Sequence, residues 1–395
     1  MREDPTDPLV SHSTGALGVL LGLVGRFLAW IERLADSRRW VLWTALAATA
    51  LVLVFSFPPP RATVRIGEAP EWGPLYGKLA HPLTPQNQED PGSHGAKTAF
   101  RLSVPVVAHV LGLGPRSLKL LEILAGIALF ALVAVGAERA SGDRRCAVLV
   151  ALLTASCFPG ISAFVEHRGF FDAVAFLGLA LACAWRSPVA VFCGVSLAAW
   201  TDERGMIAAG LVALLHFADA PRQGGARRFL DARVLAVVAA GLVYAGGRQI
   251  LAARFGLSTP LAGTGLGFLI AQMNNAPLGI WTGLEGGWLL VLAASLVLWR
   301  QGRRTLLLAS LLAGGGVVVV ALMVWDITRS MAFVLPALFL SLRVLRDHES
   351  REDLTKLCRV AFVIALLWPN YYVAGKGEAS WNYPLPLQLL KYARG

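Results

Sequence analysis

Apolar stretches long enough to cross a bilayer recur along this chain, and residues 305–324 (TLLLASLLAGGGVVVVALMV) run for twenty residues without one charge. A helix needs about 20 apolar residues to span the hydrocarbon, and every backbone polar group inside it must find a partner within the protein. Only helices and closed barrels meet that condition. The apolar runs here are long and lack the period-2 alternation of barrel strands, so helices are expected. Composition agrees: 56% of the 395 residues are hydrophobic and 15% are charged, far from the balance of a soluble domain.

The fold class expected is therefore all-α, a polytopic integral membrane protein with about ten or eleven transmembrane helices and a long first extracytoplasmic loop. Spans are expected near 40–57, 116–136, 146–164, 171–185, 188–200, 206–218, 232–249, 283–299, 305–324, 331–345 and 357–373. Leu17 to Leu34 carries Arg26, Glu32 and Arg33 and suits a surface helix, which makes residues 1–39 a cytoplasmic or interfacial segment. Residues 40–374 form the membrane domain, with 58–115 as the long loop, and 375–395 an extracytoplasmic tail. Within the loop, residues 98–113 (TAFRLSVPVVAHVLGL) read as an interfacial helix interrupted at Pro105.

A net charge of +11 could signal nucleic acid, but the arginines sit in short clusters between apolar runs rather than along one soluble face. They report topology. With the N-terminus cytoplasmic, alternate loops hold Arg139/Arg144/Arg145, Arg186, Arg222/Arg227/Arg228/Arg233, Arg300/Arg303/Arg304 and Arg343/Arg346/Arg351/Lys356, as the positive-inside bias requires. The five cysteines fall in or beside apolar runs with no CxxC pair, which excludes a zinc or disulfide framework as the organising principle. No metal site is expected.

The opposite loops concentrate the unusual chemistry. Glu71, Glu89 and Asp90 are acids in the first long loop, where a carboxylate near the membrane could act as general base; solvated surface charge is the plainer reading of any one of them. Arg101, Arg168, Arg204 and Arg329 each stand at the outer end of an expected span, and the guanidinium fork suits phosphate oxygens. Headgroup snorkelling or local pairing, Asp326 with Arg329 or Glu203 with Arg204, competes for each arginine. Asp172 opens a span and reads first as a helix-terminal acid. His94 and His167 lack a second histidine at helical spacing, and Tyr371, Tyr372, Trp381 and Tyr383 read as an interface belt.

In order, these pieces resemble the polytopic membrane glycosyltransferases of the GT-C superfamily. The resemblance rests on Glu71-Trp-Gly-Pro-Leu-Tyr76, Tyr76-Gly-Lys-Leu-Ala80-His-Pro82 and Arg101-Leu-Ser-Val-Pro105 before the second span. It continues in Asp172, Thr201-Asp202-Glu203-Arg204, and Asp326-Ile-Thr-Arg329 followed by Pro336. It covers about residues 40–345, with Glu71 where the family more often has Asp, and with the acid before the arginine at 202–204. The resemblance implies a sugar taken from a polyprenyl-phosphate donor at the extracytoplasmic face by inverting transfer. A carboxylate, Glu71 or in competition Glu89 or Asp90, would be the base. Tyr76, Arg101, Arg168, Asp202, Arg204, Asp326 and Arg329 would be the substrate-binding set. Partners so implied are the lipid-linked donor, membrane lipids and an acceptor glycan, lipid or protein, with no nucleic acid; no resident cofactor is assigned and a divalent metal has no residues to support it. Ala/Arg/Gly-rich composition is compatible with a bacterial inner membrane. A transporter or lipid flippase is the rival class, and it would place polar residues at span midpoints and show two similar halves, neither of which is seen here.

Overall fold

The computed structural model describes residues 16–56, 66–85, 94–220, 229–259, 265–374 and 378–394. The described chain is almost entirely helical. α1 (Ala16–Glu32) and α2 (Trp40–Phe55) precede two short loop helices, α3 (Trp72–Ala80) and α4 (His94–Lys97). α5 (Ser103–Leu111) leads to α6 (Pro115–Ser141), α7 (Arg144–Ser156), α8 (Phe158–Val165), α9 (Asp172–Ala184), α10 (Pro188–Thr201) and α11 (Arg204–Asp219). α12 (Ala232–Phe255), α13 (Leu266–Gln272), α14 (Ala276–Leu284), α15 (Trp288–Arg300) and α16 (Arg304–Leu322) follow. The chain closes with α17 (Ile327–Met331), α18 (Pro336–Arg346), α19 (Arg351–Leu367), a hairpin of β1 (Tyr371–Ala374) and β2 (Glu378–Trp381), and α20 (Leu385–Arg394).

Local chemistry sets the helix ends. Pro115 stands in the first turn of α6, and Gly142 closes it in a left-handed conformation at φ 75°. The Asp143 carboxylate then caps α7 by accepting from the backbone N–H groups of Arg145 and Cys146. Pro105 does not interrupt α5: it lies in the first turn, where no intrahelical donor is lost. The span expected at 357–373 ends at Leu367, because Pro369 cannot continue a helix, and the chain turns instead into β1.

The architecture is all-α and polytopic, that of an integral membrane protein. Among the described residues five segments are long and apolar enough to cross a membrane: Pro115–Ser141, Ala232–Phe255, Leu266–Arg300, Arg304–Leu322 and Ile327–Arg346. The pair α7 and α8, bent by 52°, makes a sixth if it is one broken span. Hydropathy alone counted ten or eleven. The difference lies in α2, α9, α10, α11 and α19, which have 16, 13, 14, 16 and 17 residues. At 1.5 Å per residue the shortest covers about 20 Å, against about 30 Å of hydrocarbon. α9 can be that short because its neighbours bury it almost completely. The outer helices show the converse: Leu235, Leu242 and Ile250 of α12 and Leu308, Leu311 and Leu312 of α16 are exposed, as lipid-facing side chains are.

Small residues let the inner helices approach closely. A Cβ on Gly178 of α9 would stand 2.6 Å from the Gly194 carbonyl oxygen of α10, and one on Gly194 would stand 2.6 Å from that of Gly178. Gly315 of α16, by contrast, has nothing within 4 Å of that position. Gly178→Val is therefore expected to lower stability by about 1–3 kcal/mol or more through overpacking. Gly315→Ala should leave it unchanged or raise it. Thermal unfolding of detergent-purified protein distinguishes the two; equal effects would dismiss the close crossing.

Candidate functional site at the polar end of the bundle

The helices alternate in direction, which sorts their ends into two groups. α9 begins at Asp172, α11 at Arg204 and the α17–α18 segment at Ile327, beside Asp326 and Arg329. These starts meet the end of α10 at Thr201 and the loop before α5 at Arg101. At the other end lie Arg139, Arg186, Asp219, Arg233 and Arg343.

Asp202 organises the first group. It is fully buried and lies against three guanidinium groups. Arg204 Nε donates to its Oδ1 at 2.7 Å, Arg101 Nη1 stands 2.9 Å from Oδ2, and Arg329 Nη2 donates to Oδ2 at 3.4 Å. Burial opposes this carboxylate's charge, yet Arg101, Arg204 and Arg329 hold its pKa far below the usual range. The arginines carry the network outward. Arg329 Nε donates to Asp172 Oδ2 at 2.6 Å and pairs with Asp326 at 3.6 Å. Arg101 grips Glu203 through Nε at 3.1 Å and Nη2 at 2.8 Å, and Arg204 Nη1 donates to Ser330 Oγ at 2.6 Å.

A second pair abuts the first. Arg168 binds Glu166 in a fork, Nε to Oε1 at 2.9 Å and Nη2 to Oε2 at 2.6 Å, and it also donates to the Tyr372 hydroxyl at 3.3 Å. Burial raises the Glu166 pKa, but the Arg168 charge and hydrogen bonds outweigh it and leave it at about 2. The ring of Phe170 lies under Arg329 at 3.8 Å and under Arg168 at 4.6 Å. That placement costs strain, since Phe171 takes a left-handed conformation at φ 58°, a penalty of about 1–2 kcal/mol for a non-glycine residue. Gly169 at φ 83° precedes it, and a Cβ there would meet Leu75 of α3 at 2.7 Å.

Above the network opens a cleft with about 410 Å³ of empty space, walled by Leu75 and Lys78 of α3, Arg101, Ser103, Phe170 and Thr201. Lys78 is buried and donates to the carbonyls of Thr98 and Arg101, the latter at 3.1 Å. Desolvation, then the neighbouring Arg101 charge, pushes its pKa down to about 7. Arg101 Nη1 is buried and, despite its ion contact with Asp202, finds no hydrogen-bond acceptor. The cleft thus has in its wall a guanidinium group and an amine poised between neutral and charged, an arrangement suited to an incoming anion.

The residues singled out from sequence fall into three groups. Arg101, Asp202, Arg204, Asp326 and Arg329 are brought together, and Arg168 joins them through the Phe170 ring. Asp202, Arg204 and Arg329 lie beneath the cleft as its support rather than in its walls. Glu71 and Tyr76 stand apart. Glu71, just before α3, has no hydrogen bond or ion pair among the described residues and does not line the cleft, although at i, i+4 and i+7 it shares a helix face with Leu75 and Lys78, which do. Tyr76 is exposed, lies tilted against Trp72 and donates to the Gly67 carbonyl at 3.1 Å, so it pins the loop. Glu89 and Asp90 lie outside the described residues.

Other expectations change. Asp172 does not cap α9, whose preceding residue is Phe171; its carboxylate binds Arg329, and Oδ1 stays without a hydrogen-bond partner. Glu203 pairs with Arg101 instead of its neighbour Arg204. Tyr372 belongs to the Arg168 pair more than to an interface belt. The His167 ring hydrogen-bonds with the Val165 carbonyl at 3.3 Å, and among the described residues no group of three His, Cys, Asp or Glu side chains is placed to hold a metal. Lys78, Glu166 and Phe170 were missed. Lys78 was legible in principle, seven residues after Glu71 on the same helix face.

What fold and site define is an all-α polytopic membrane protein with a buried ion network supporting a polar cleft. Neither family models, curated proteins nor solved structures match the chain.

Two outcomes follow. Asp202→Asn leaves the buried Arg204 and Arg329 and the half-buried Arg101 short of a counter-charge and should destabilise the protein by about 3–5 kcal/mol, read as loss of thermal stability, whereas Asp326→Asn, which touches Arg329 alone at 3.6 Å, should cost far less. Lys78 should make anion binding pH-dependent. Protonated below about pH 7 and neutral above it, it adds a positive charge on the acid side only. Affinity for a phosphodiester such as dimethyl phosphate, whose own charge is constant there, should fall as pH rises through about 7, and Lys78→Gln should flatten the profile. An identical slope in that variant would remove Lys78 from the site.

Proposed function

We propose that this chain is a membrane glycosyltransferase of the GT-C kind, which moves a sugar from a polyprenyl-phosphate donor to an acceptor hydroxyl at the extracytoplasmic face. The observation that carries the reading is the cleft at the polar end, where the Arg101 donor without an acceptor and the depressed amine of Lys78 meet beside the loop that holds Glu71. The arginine bias of the opposite end supports a cytoplasmic N-terminus, and with it an inner-membrane location in a bacterium.

In this reading the Glu71 carboxylate takes the proton of the acceptor hydroxyl as its oxygen bonds to the anomeric carbon. The bond from that carbon to the phosphate oxygen breaks, and the electron pair leaves on the lipid phosphate. Arg101 and Lys78 meet the charge that develops there. Asp202 and Asp172 are poor bases, being fully buried and bound to guanidinium groups, so their part is to hold Arg101 and Arg329 in place. Arg204 and Arg329, expected from the resemblance to touch phosphate, act in this account through Arg101.

Transfer from a panel of radiolabelled polyprenyl-phosphate sugars, assayed in detergent at matched folded yield, tests the proposal. Glu71→Gln should lose about 10²–10⁴-fold in turnover, the usual share of a general base. Arg101→Gln should lose turnover as well. Retention in Glu71→Gln with loss in Asp90→Asn or Glu89→Gln would move the base within the same reaction. Consumption of no donor, with lipid or solute crossing liposomes instead, would replace the proposal with a transporter.

A further inference from the structure

The opposite end of the bundle carries a cleft of its own, with about 350 Å³ of empty space, between the ends of α6, α9, α11, α12 and α18. Arg139, Arg186, Arg233 and Arg343 line it around Asp219, with Trp185 at its edge. Arg233 Nη1 donates to Asp219 at 2.8 Å, Arg343 Nε at 3.1 Å, and Arg186 Nε stands 3.9 Å away. The other carboxylates are already matched. Asp231 accepts both Nε and Nη2 of Arg233 at 2.9 Å, and Asp347 accepts Arg343 Nη1 at 2.6 Å.

Two further cations meet only neutral groups among the described contacts. Arg139 donates to the Ala184 carbonyl and lies over the Trp185 ring at 5.1 Å. Arg346, three residues beyond Arg343, donates to the Arg139 carbonyl at 3.1 Å. The four cations that line the cleft, Arg139, Arg186, Arg233 and Arg343, face the three carboxylates Asp219, Asp231 and Asp347, an excess of one positive charge, with Arg346 just outside the lining. Arg139 and Arg186 are exposed, so the excess sits at the mouth of the cleft. Guanidinium groups around a cavity, without enough carboxylate to neutralise them, form a receptor for phosphate oxygens. The exposed indole of Trp185 at the end of α9 places that receptor at headgroup depth.

We propose that this cleft binds a phosphate ester, namely the headgroup of an anionic membrane phospholipid, held by Arg139 and Arg186 over the Asp219-anchored floor of Arg233 and Arg343. The site is separate from the polar cleft and does not depend on the reaction assigned there. Binding is measured on the full chain in neutral detergent, by native mass spectrometry and by thermal stabilisation, with dioctanoyl phosphatidylglycerol, dioctanoyl phosphatidylcholine and inorganic phosphate as probes. Phosphatidylglycerol should bind, and Arg139→Gln combined with Arg186→Gln should weaken it about tenfold or more, the loss expected for charged hydrogen bonds. Neither residue holds Asp219 closely, so the variant should fold; an unchanged elution profile and melting temperature without lipid check that. Arg300→Gln, at the same end but outside the cleft, should bind as wild type does. Equal binding of phosphatidylcholine, or an equal loss in Arg300→Gln, would overturn the proposal. Displacement of the lipid by equimolar inorganic phosphate would overturn the headgroup as the source and leave a soluble phosphate ester as the ligand.

Discussion

Three guanidinium groups converge on one carboxylate, Asp202, at the junction of α10 and α11, and much of the polar end is arranged by that convergence. Each arginine belongs to a different stretch of chain: Arg101 to the first long loop, Arg204 to α11, Arg329 to α17. A buried charge without a partner costs several kcal/mol, so these segments cannot separate individually without leaving one. Through Arg329 the tie extends to Asp172 and α9, and through the shared Phe170 ring to the Glu166–Arg168 pair. Counting Lys78, five cations (Lys78, Arg101, Arg168, Arg204, Arg329) face five carboxylates (Glu166, Asp172, Asp202, Glu203, Asp326). With Lys78 protonated the network is neutral as a whole, and of these ten groups only Lys78 and Arg101 line the cleft.

The remainder of the fold follows from what surrounds each helix. α9 lies inside other helices and is short; α12 and α16 face outward with rows of exposed leucine and are long. Where packing is tightest the residues are glycine and alanine, as at Gly178, Gly194 and Ala198. Water contributes no hydrophobic drive between helices inside a membrane, so close backbone approach and polar ties must supply the association energy.

Much of this was legible in the sequence because apolar length and arginine bias are properties of single segments. Helical class, most helix positions though only about half of the spans, and the gathering of unusual chemistry at one end could be read that way. What escaped reading depends on neighbours. Asp172 is the helix-terminal acid expected, but its pairing with Arg329, 157 positions away, is not visible in any local pattern. Lys78 stands inside a motif without a role of its own in the sequence, and the carbonyls of Thr98 and Arg101 around it reveal its burial. The segment expected to span from 283 to 299 proved to be part of a longer run, Leu266–Arg300, broken at Glu285. There a non-glycine residue sits at φ 47° with its carboxylate buried, a conformation no local pattern announces.

The wide sequence separation within the Asp202 network bears on how the protein comes to exist. A chain made from its N-terminus presents Arg101 about a hundred residues before Asp202 is available, and Arg329 later still; at about 5–20 residues per second that is a wait of seconds or more. During it, the first long loop must already lie on its final side with its arginine solvated, while α6 to α10 enter the bilayer. The network is therefore a late clasp, closed only after α17 has emerged, and the cleft above it is among the last parts of the molecule to take shape.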